Sequence, residues 1–228
     1  MNELPKPNLV PRLYGEALWG EEPIALRVFH PKPGDVFFDI GASDSFWTVY
    51  AATRGALVYA FEPSIPQFQR LVEELLKEGV FSQCRAIMMG ADSKDNVRTL
   101  EGWYEGLGGP GFDVSEDCRV ATRFIPIDFF EPELKRLDWM KLDIEGGELE
   151  AIKGGARVIE KFRPTVIIEN HINIVRIGPW MRANKVIEGI HEFFARLGNY
   201  EISEDPGIAE RPFIVARPKE RGLTKPAP

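Results

Sequence analysis

The chain has 228 residues, 44% of them hydrophobic and 28% charged, which is the composition of an ordinary soluble globular protein with one sizeable core. Its formal net charge of −7 disfavours a nucleic-acid partner, because phosphate binding requires a basic surface. It has too few cysteines for a disulfide framework and no apolar run suited to a membrane span or an export signal, so we expect a cytoplasmic protein.

The predicted elements alternate between helices and strands along the chain. In the first half, apolar spacing predicts a helix within 14–29, a strand at 36–40, a helix at 44–54, a strand at 57–61, a helix at 64–77 and a strand at 85–89. In the second half it predicts strands at 97–103 and 119–127 around a glycine-rich loop at 106–112, strands at 139–142 and 165–168 joined by a helix at 147–162, and a helix at 179–197. Residues 200–203 and 212–216, around Asp205-Pro-Gly207, predict an antiparallel hairpin.

This alternation predicts an α/β fold, a mostly parallel sheet with helices on both faces. A terminal hairpin is less usual on such a sheet and distinguishes the pattern from a plain dinucleotide-binding fold. In open sheets of this kind, ligands bind at the edge formed by the carboxyl ends of the strands. Functional residues are therefore expected immediately after the predicted strands.

The first such position is the loop Asp39-Ile-Gly-Ala-Ser-Asp-Ser45, and the second is Glu62 at the end of the next strand. A glycine turn followed by an acid at a strand end is typical of a nucleoside-cofactor site, where the acid accepts hydrogen bonds from ribose hydroxyls. The alternative is structural: Asp39 caps the turn, and Glu62 is a solvated strand end.

The loop favours S-adenosylmethionine over a dinucleotide. Only Gly41 remains of the G-x-G-x-x-G pattern, and Asp44 would stand where a phosphate must bind. S-adenosylmethionine has no phosphate; Asp39 can pair with its ammonium, and backbone N–H groups near Gly41 can bind its carboxylate. The predicted cofactor-binding residues are Asp39, Gly41, Ala42, Ser43, Glu62, Pro63, Asp143 and Asp92, the last as an acceptor from the adenine amino group.

A second concentration of polar residues follows two neighbouring predicted strands. Asp143, Glu145 and Glu148 come directly after the strand at 139–142, and Glu169-Asn170-His171 follows the strand at 165–168. Parallel strands would bring both groups to the same edge of the sheet. Glu148 lies at the start of the following helix, where a carboxylate supports the helix N-terminus.

With these motifs, the sequence resembles the FkbM family of S-adenosylmethionine-dependent methyltransferases. The resemblance covers about residues 35–171 and rests most on the string Lys141-Leu-Asp-Ile-Glu-Gly-Gly-Glu148. The other matching pieces are Phe38-Asp-Ile-Gly-Ala42, Tyr59-Ala-Phe-Glu-Pro63, Gly90-Ala91, Ile127-Asp128, Lys153-Gly-Gly-Ala156 and the strand from Pro164 to Glu169. The family loop usually reads Gly-Ala-Asn-x-Gly, whereas this chain has Gly-Ala-Ser-Asp-Ser from Gly41 to Ser45.

The resemblance implies a class I methyltransferase fold, a seven-stranded sheet of order 3-2-1-4-5-7-6 whose strand 7 is antiparallel, which agrees with the hairpin predicted at 200–216. It also implies methylation of hydroxyl oxygens on sugars or natural products. The expected organisation is an N-terminal helical cover at 1–30, a methyltransferase domain at 31–218 and a tail at 219–228.

Methylation of an alcohol requires removal of its proton, so a general base is expected. The candidates are Asp143, Glu145 and His171, and Asp143 should lie nearest the methyl group. A divalent cation is a second way to activate the hydroxyl. Asp143, Glu169 and Asn170 are placed like the metal ligands of catechol-type O-methyltransferases, and oxygen ligands suit Mg²⁺, Mn²⁺ or Ca²⁺.

Three functions remain open from the sequence. The leading one is O-methylation of a sugar, glycan or other small molecule, with a homo-oligomer allowed and no membrane partner. The second is methylation of RNA or protein, against which the acidic charge counts. The third is a binding module that has kept the fold without catalysis, which the altered loop from Gly41 to Ser45 permits.

Overall fold

A computed structural model describes residues 27–43, 45–100, 120–170, 183–208 and 211–221. Its strands are β1 (Val36–Ile40), β2 (Leu57–Phe61), β3 (Cys84–Ile87), β4 (Gly90–Ala91), β5 (Asn96–Leu100), β6 (Val120–Ile125), β7 (Trp139–Leu142), β8 (Thr165–Glu169), β9 (Tyr200–Ile208) and β10 (Arg211–Pro218). Its helices are α1 (Phe46–Ala52), α2 (Ile65–Lys77), α3 (Glu148–Gly154), α4 (Ala156–Phe162) and α5 (Ala183–Leu197). The predicted glycine-rich loop at 106–112 and most of the predicted cover at 1–30 lie outside the described residues.

Seven strands form the main sheet in the order β3-β2-β1-β7-β8-β10-β9. The pairs from β3 through β8 are parallel, whereas β10 is antiparallel to both β8 and β9. This is the class I order expected from the family resemblance, and it confirms the predicted C-terminal hairpin. The order places the carboxyl ends of β1, β2 and β7 side by side.

Successive side chains along each strand point to opposite faces of the main sheet, and both faces are apolar. On one face, Phe38, Ile40 and Leu142 pack in a core that also receives α3, α4 and α5. On the other face, Phe37, Trp47 and Ile167 belong to a core that includes α1 and part of α2. Asp39 and Lys141 share the second face, because they are direct partners in the parallel β1–β7 pair.

A smaller sheet of order β4-β6-β5 lies beyond β3. Within it β4 is parallel to β6, and β5 is antiparallel to β6. The strand predicted at 85–89 is therefore shorter than expected, and Gly90 and Ala91 begin the second sheet. A side chain at Gly90 would meet the Phe124 ring at 2.2 Å, which explains why this short strand begins with glycine.

Two sequence predictions about element boundaries are wrong. The helix predicted at 147–162 is broken at Gly155, whose backbone leaves the helical region with φ −109° and ψ 14°. The predicted turn at Asp205-Pro-Gly207 lies within β9 instead, and the hairpin reverses after Ile208. The β9–β10 register shifts between Arg211 and Phe213, and such an irregularity accommodates a proline-glycine pair inside a strand.

Candidate functional site

Asp39 lies at the carboxyl end of β1 and is completely buried. Thr48 Oγ1, on α1, donates a hydrogen bond of 2.7 Å to Asp39 Oδ2. This hydrogen bond connects α1, which follows the first loop, to Asp39, which precedes it. The side chain predicted to meet the ammonium of the cofactor is an internal group of the protein, enclosed between the sheet and α1.

Lys141 is the cross-strand neighbour of Asp39 and is only 3% exposed. Its Nζ lies 3.8 Å from Asp39 Oδ1 and 3.2 Å from Asp143 Oδ2. It also donates a hydrogen bond of 3.1 Å to the Gly41 carbonyl oxygen. One ammonium thus contacts the end of β1, the loop that follows it and the first residue after β7.

The loop after β1 approaches the β7 end closely. Gly41 has φ +83°, and a Cβ on it would lie 1.9 Å from the Asp143 carbonyl oxygen. The N–H groups of Gly41 and Ala42 both donate to the Phe61 carbonyl at 3.0 Å, which extends the β1–β2 ladder past the strand ends. These two N–H groups are therefore used inside the protein, so the predicted binding of the cofactor carboxylate near Gly41 falls to other N–H groups of this loop.

Two serines in this loop adopt conformations that favour glycine. Ser43 has φ +34°, and Ser45, the last loop residue before α1, has φ +71°. Ser45 occupies the position where the related family loop has its second glycine, so the chain keeps the left-handed backbone there without the glycine. The Ser45 side chain is fully buried and does not cap α1.

Glu62 closes the loop from the β2 side. Its Oε2 accepts the Ser43 N–H at 3.0 Å, and its Oε1 accepts the Ser64 N–H at 2.8 Å. Burial raises the pKa of Glu62 to about 7, although these two hydrogen bonds and the nearby Lys141 ammonium oppose the rise. The predicted solvated strand end is excluded, because the residue is only 4% exposed.

The neighbouring predicted residue Pro63 is tied to the smaller sheet. Its carbonyl oxygen accepts a hydrogen bond of 3.2 Å from Thr122 Oγ1 on β6. This contact fixes the residue that follows Glu62 against β6. Pro63 thus links the end of β2 to the smaller sheet.

Asp92 has a different environment from the one predicted. Its carboxylate accepts hydrogen bonds from the Ser93 N–H at 2.6 Å, from Asn96 Nδ2 at 2.8 Å and from the Arg98 guanidinium. A carboxylate accepts about four hydrogen bonds, so Asp92 is nearly saturated by its own smaller sheet. The structure therefore favours a structural role for Asp92 over the predicted contact with adenine.

The turn after β7 carries the remaining acids. Asp143 continues the sheet through its N–H, which donates to the Ile40 carbonyl at 3.0 Å, and its side chain is 16% exposed. Glu145 is half-buried at the tip of the turn, with φ +54°. Glu148 lies in the first turn of α3 as predicted, and its Oε1 accepts the N–H groups of Ile144 at 3.2 Å and Gly146 at 2.9 Å, so it also holds the turn before the helix.

The end of β8 lies one strand further along the same edge. Glu169 and Asn170 are both buried there, and His171 lies outside the described residues. Among the described residues, His, Cys, Asp and Glu side chains form no group of three or more that could hold a metal ion. The Lys141 ammonium beside Asp143 further disfavours a divalent cation at that carboxylate, because like charges repel.

A family model described as the methyltransferase FkbM domain matches residues 39–199, which include all of these strand ends. The chain belongs to the FkbM methyltransferase family. A search of the curated proteins finds no match. In the part of the chain that the structure describes, every helix is too short or too polar to cross a membrane.

Several solved structures share the fold of this chain. The methyltransferase FkbM from Methylobacillus flagellatus is 20% identical to this chain, with a TM-score of 0.58. The alignment covers 83% of this chain and 45% of the Methylobacillus protein. This chain therefore spans less than half the length of that protein. An O-methyltransferase from Bacillus cereus, solved with S-adenosylhomocysteine, is 15% identical with a TM-score of 0.53 and coverages of 81% and 74%. The precorrin-6y C5,15-methyltransferase from Geobacter metallireducens is 11% identical with a TM-score of 0.53 and coverages of 89% and 90%.

The residues at this edge fit S-adenosylmethionine in charge and in hydrogen-bonding capacity. Asp39 and Asp143 contact one ammonium, and Glu62 feels its charge, so the edge is net negative when all three acids are ionised, which suits a ligand carrying a sulfonium and an ammonium. Glu62 uses two of the roughly four acceptor positions of a carboxylate and retains capacity for ribose hydroxyls. Because Gly41 has no side chain, the backbone of the loop after β1 contacts the Asp143 carbonyl group directly.

Sequence reasoning did not assign two of these contacts. Thr48 gave no signal, because its bond to Asp39 depends on how α1 returns over the sheet. For Lys141 a signal exists: strand alternation places it on the opposite face from Leu142, and the β1–β7 register then places it opposite Asp39.

Proposed function

We propose that this methyltransferase uses S-adenosylmethionine to methylate a hydroxyl oxygen of a sugar, a glycan or another small molecule. The observation that carries the proposal is the meeting of Asp39, Glu62 and Asp143 at the carboxyl edge of β1, β2 and β7 in an FkbM fold. That edge is the ligand-binding edge of open parallel sheets. The Bacillus cereus O-methyltransferase supports the choice of oxygen, because this fold serves an oxygen acceptor there.

The donor side of the site is assigned to Glu62, Gly41 and the Asp39–Lys141 pair. Glu62 would hold the ribose hydroxyls with its remaining acceptor positions, beside the Ser43 and Ser64 N–H groups that fix its orientation. When bound, S-adenosylmethionine supplies a methyl group that is already activated by its sulfonium. The protein must therefore align the acceptor and remove its proton, and alignment alone contributes up to about 7–11 kcal/mol.

We assign the proton-accepting role to Asp143. Its carboxylate is partly exposed at the edge, and Lys141 fixes its position through a 3.2 Å contact. Glu145 lies two residues further along the same turn and is the second candidate, and His171 is the third. A metal ion is not part of this assignment, since the Lys141 ammonium already compensates the charge of Asp143.

A labelled-methyl assay tests the function. The protein is incubated with methyl-labelled S-adenosylmethionine and, in separate reactions, with monosaccharides, oligosaccharides, polyhydroxylated small molecules, RNA and a protein mixture. We expect label in an ether of a hydroxyl compound, identified by mass shift and fragmentation, with no loss when a chelator is added. Label in RNA or protein supports the macromolecular alternative and contradicts the proposal, as does activity that disappears with the chelator.

Asp143→Asn tests the assignment of the base, because it removes the charge and keeps the shape. We expect a loss of about 10²–10⁴-fold in the methylation rate, the usual contribution of a general base. Asp95→Asn is the matched control, since Asp95 is a surface carboxylate paired with Arg123. Full activity of Asp143→Asn would transfer the role to Glu145 or His171.

A further inference from the structure

Lys141 is a buried cation for which methyl transfer itself has no obvious need. Burying an ammonium is unfavourable unless good partners compensate it, and Lys141 is only 3% exposed. Its partners come from three separate pieces of the site: Asp39 in β1, the Gly41 carbonyl in the loop and Asp143 after β7. The ammonium therefore connects two turns that are about a hundred residues apart in sequence.

Both turns contain strained backbone. Ser43 and Ser45 have φ +34° and +71° in the first turn, and Glu145 has φ +54° in the second. Non-glycine residues keep such conformations only where the surrounding structure holds them, and they concentrate at ligand sites. Glu62 holds the Ser43 N–H, Glu148 holds two N–H groups beside Glu145, and Lys141 contacts both turns at once.

The charge of Lys141 is as important as its position. Asp39 and Asp143 present two carboxylates to the same small space, where like charges repel each other unless a cation lies between them. An apolar residue of the same length would fill the volume but would leave both carboxylates and the Gly41 carbonyl without the ammonium. The two turns would still meet through their backbone, but they would lose the ammonium that both of them contact.

We propose that Lys141 is a positioning residue of the donor site, whose ammonium holds the Gly41 turn against Asp143 in the binding conformation before the cofactor arrives. The inference rests on the proposed function, because it assigns the purpose of that conformation to cofactor binding. Lys141 acts through Asp39, Gly41 and Asp143 and does not take part in the reaction itself.

The cofactor-free part of the test uses amide hydrogen exchange. In the wild type, the Gly41 and Ala42 N–H groups are bonded to the Phe61 carbonyl and should be protected. In Lys141→Met we expect exchange of the segment 41–46 to rise at least about tenfold, with β8 and β10 unchanged. Lys153→Met, which removes a surface ammonium paired with Glu150, should leave segment 41–46 as in the wild type. Unchanged exchange in Lys141→Met overturns the proposal.

The second part measures S-adenosylhomocysteine affinity by calorimetry. Lys141→Ala should bind at least about tenfold more weakly than the wild type, and n-propylammonium should restore part of the affinity by replacing the missing charged chain. n-Propanol, which fills the same space without the charge, should not restore it. Equal restoration by both compounds overturns the proposal, because it assigns Lys141 a packing role only.

If Lys141→Ala does not fold, the S-adenosylhomocysteine affinity of Lys141→Arg is compared with that of Lys141→Met. Higher affinity in the arginine variant supports the role of the charge. An equal loss of affinity in both variants overturns the proposal. If the wild type does not bind S-adenosylhomocysteine, the proposed function fails, while the exchange experiment still decides whether Lys141 holds the Gly41 turn.

Discussion

Gly41 and the Asp143 carbonyl meet more closely than any side chain at position 41 would allow. A Cβ there would lie 1.9 Å from that carbonyl oxygen, and the backbone of Gly41 has φ +83°. The contact joins the loop after β1 to the first residue after β7. The cofactor loop and the proposed base therefore share one backbone junction, and a change in one must displace the other.

Gly41→Ala tests this junction. The variant should lose about 3 kcal/mol of unfolding free energy, because it combines left-handed strain with a displaced carbonyl group. Gly34→Ala is a matched control: Gly34 has φ +85°, and a Cβ there has nothing within 4 Å. The control should lose only about 1 kcal/mol from backbone strain. Chemical denaturation measures both variants, and equal losses would show that the contact with Asp143 is unimportant.

Ser45→Gly should stabilise the protein. Ser45 keeps φ +71° at the position where the family loop has glycine, and its hydroxyl does not cap α1. Glycine removes the left-handed strain but gains conformational freedom in the unfolded chain, so we expect a net gain of about 0.5–1 kcal/mol. Ser82→Gly, at an exposed residue of a 3-10 turn, should bring no gain. A loss of stability in Ser45→Gly would show that the buried hydroxyl is worth more than the strain.

Glu148→Ala should destabilise the turn that presents Asp143 and Glu145. It leaves the partly buried N–H groups of Ile144 and Gly146 without their carboxylate acceptor, which costs about 2 kcal/mol. Glu150→Ala, half a turn further along α3, removes a half-exposed carboxylate that pairs with Lys153 and accepts the Ser93 hydroxyl, and it should cost at most about 1 kcal/mol because neither partner is a buried backbone group. Thermal or chemical unfolding separates the two. A similar loss in both variants would contradict the supporting role of Glu148.

Glu62 should give the protein a pH-dependent stability. Burial raises the pKa of Glu62 from 4.5 to about 7, so the folded state holds a proton that the unfolded state releases between these values. The contribution of Glu62 to stability is therefore greatest below pH 4.5 and is lost as the pH rises through about 7. The full shift corresponds to at most about 3 kcal/mol.

The measurement is the unfolding free energy of the wild type minus that of Glu62→Gln, followed from pH 4.5 to pH 8. We expect this difference to fall steadily up to about pH 7 and then to level off. Glu74→Gln, at the surface of α2, corrects for the loss of one negative charge. A difference that rises with pH would mean that the folded protein favours the ionised carboxylate.

The residues themselves were sufficient to predict a mostly parallel sheet and the acids at its edge, whereas the strand order was implied by the FkbM resemblance. Short apolar runs ended by Asp39, Glu62 and Asp143 indicate buried parallel strands, and parallel strands collect their carboxyl ends at one edge. These features depend on local period and on general rules of sheet topology.

Contacts between distant segments could not be predicted in the same way. Asp92 was expected to meet the cofactor, but the fold of β4, β5 and β6 brings Arg98 and Asn96 to its carboxylate. Next to the helix break at Gly155, a side chain on Gly154 would lie 2.0 Å from the Asp92 carbonyl oxygen, so this position requires glycine because of a distant segment. Neither contact leaves a periodic pattern in the sequence.

Calorimetric titration of the wild type and of Glu62→Gln with S-adenosylmethionine and S-adenosylhomocysteine decides whether this edge binds the cofactor. We expect one binding site per chain and an affinity at least about tenfold weaker in Glu62→Gln, about 1.4 kcal/mol, because the amide cannot accept as many hydrogen bonds. Glu73→Gln, on the partly exposed surface of α2, should bind like the wild type. A folded wild type that binds neither compound, or a Glu62→Gln variant that binds as tightly as the wild type, would contradict the assignment of this edge as the cofactor site.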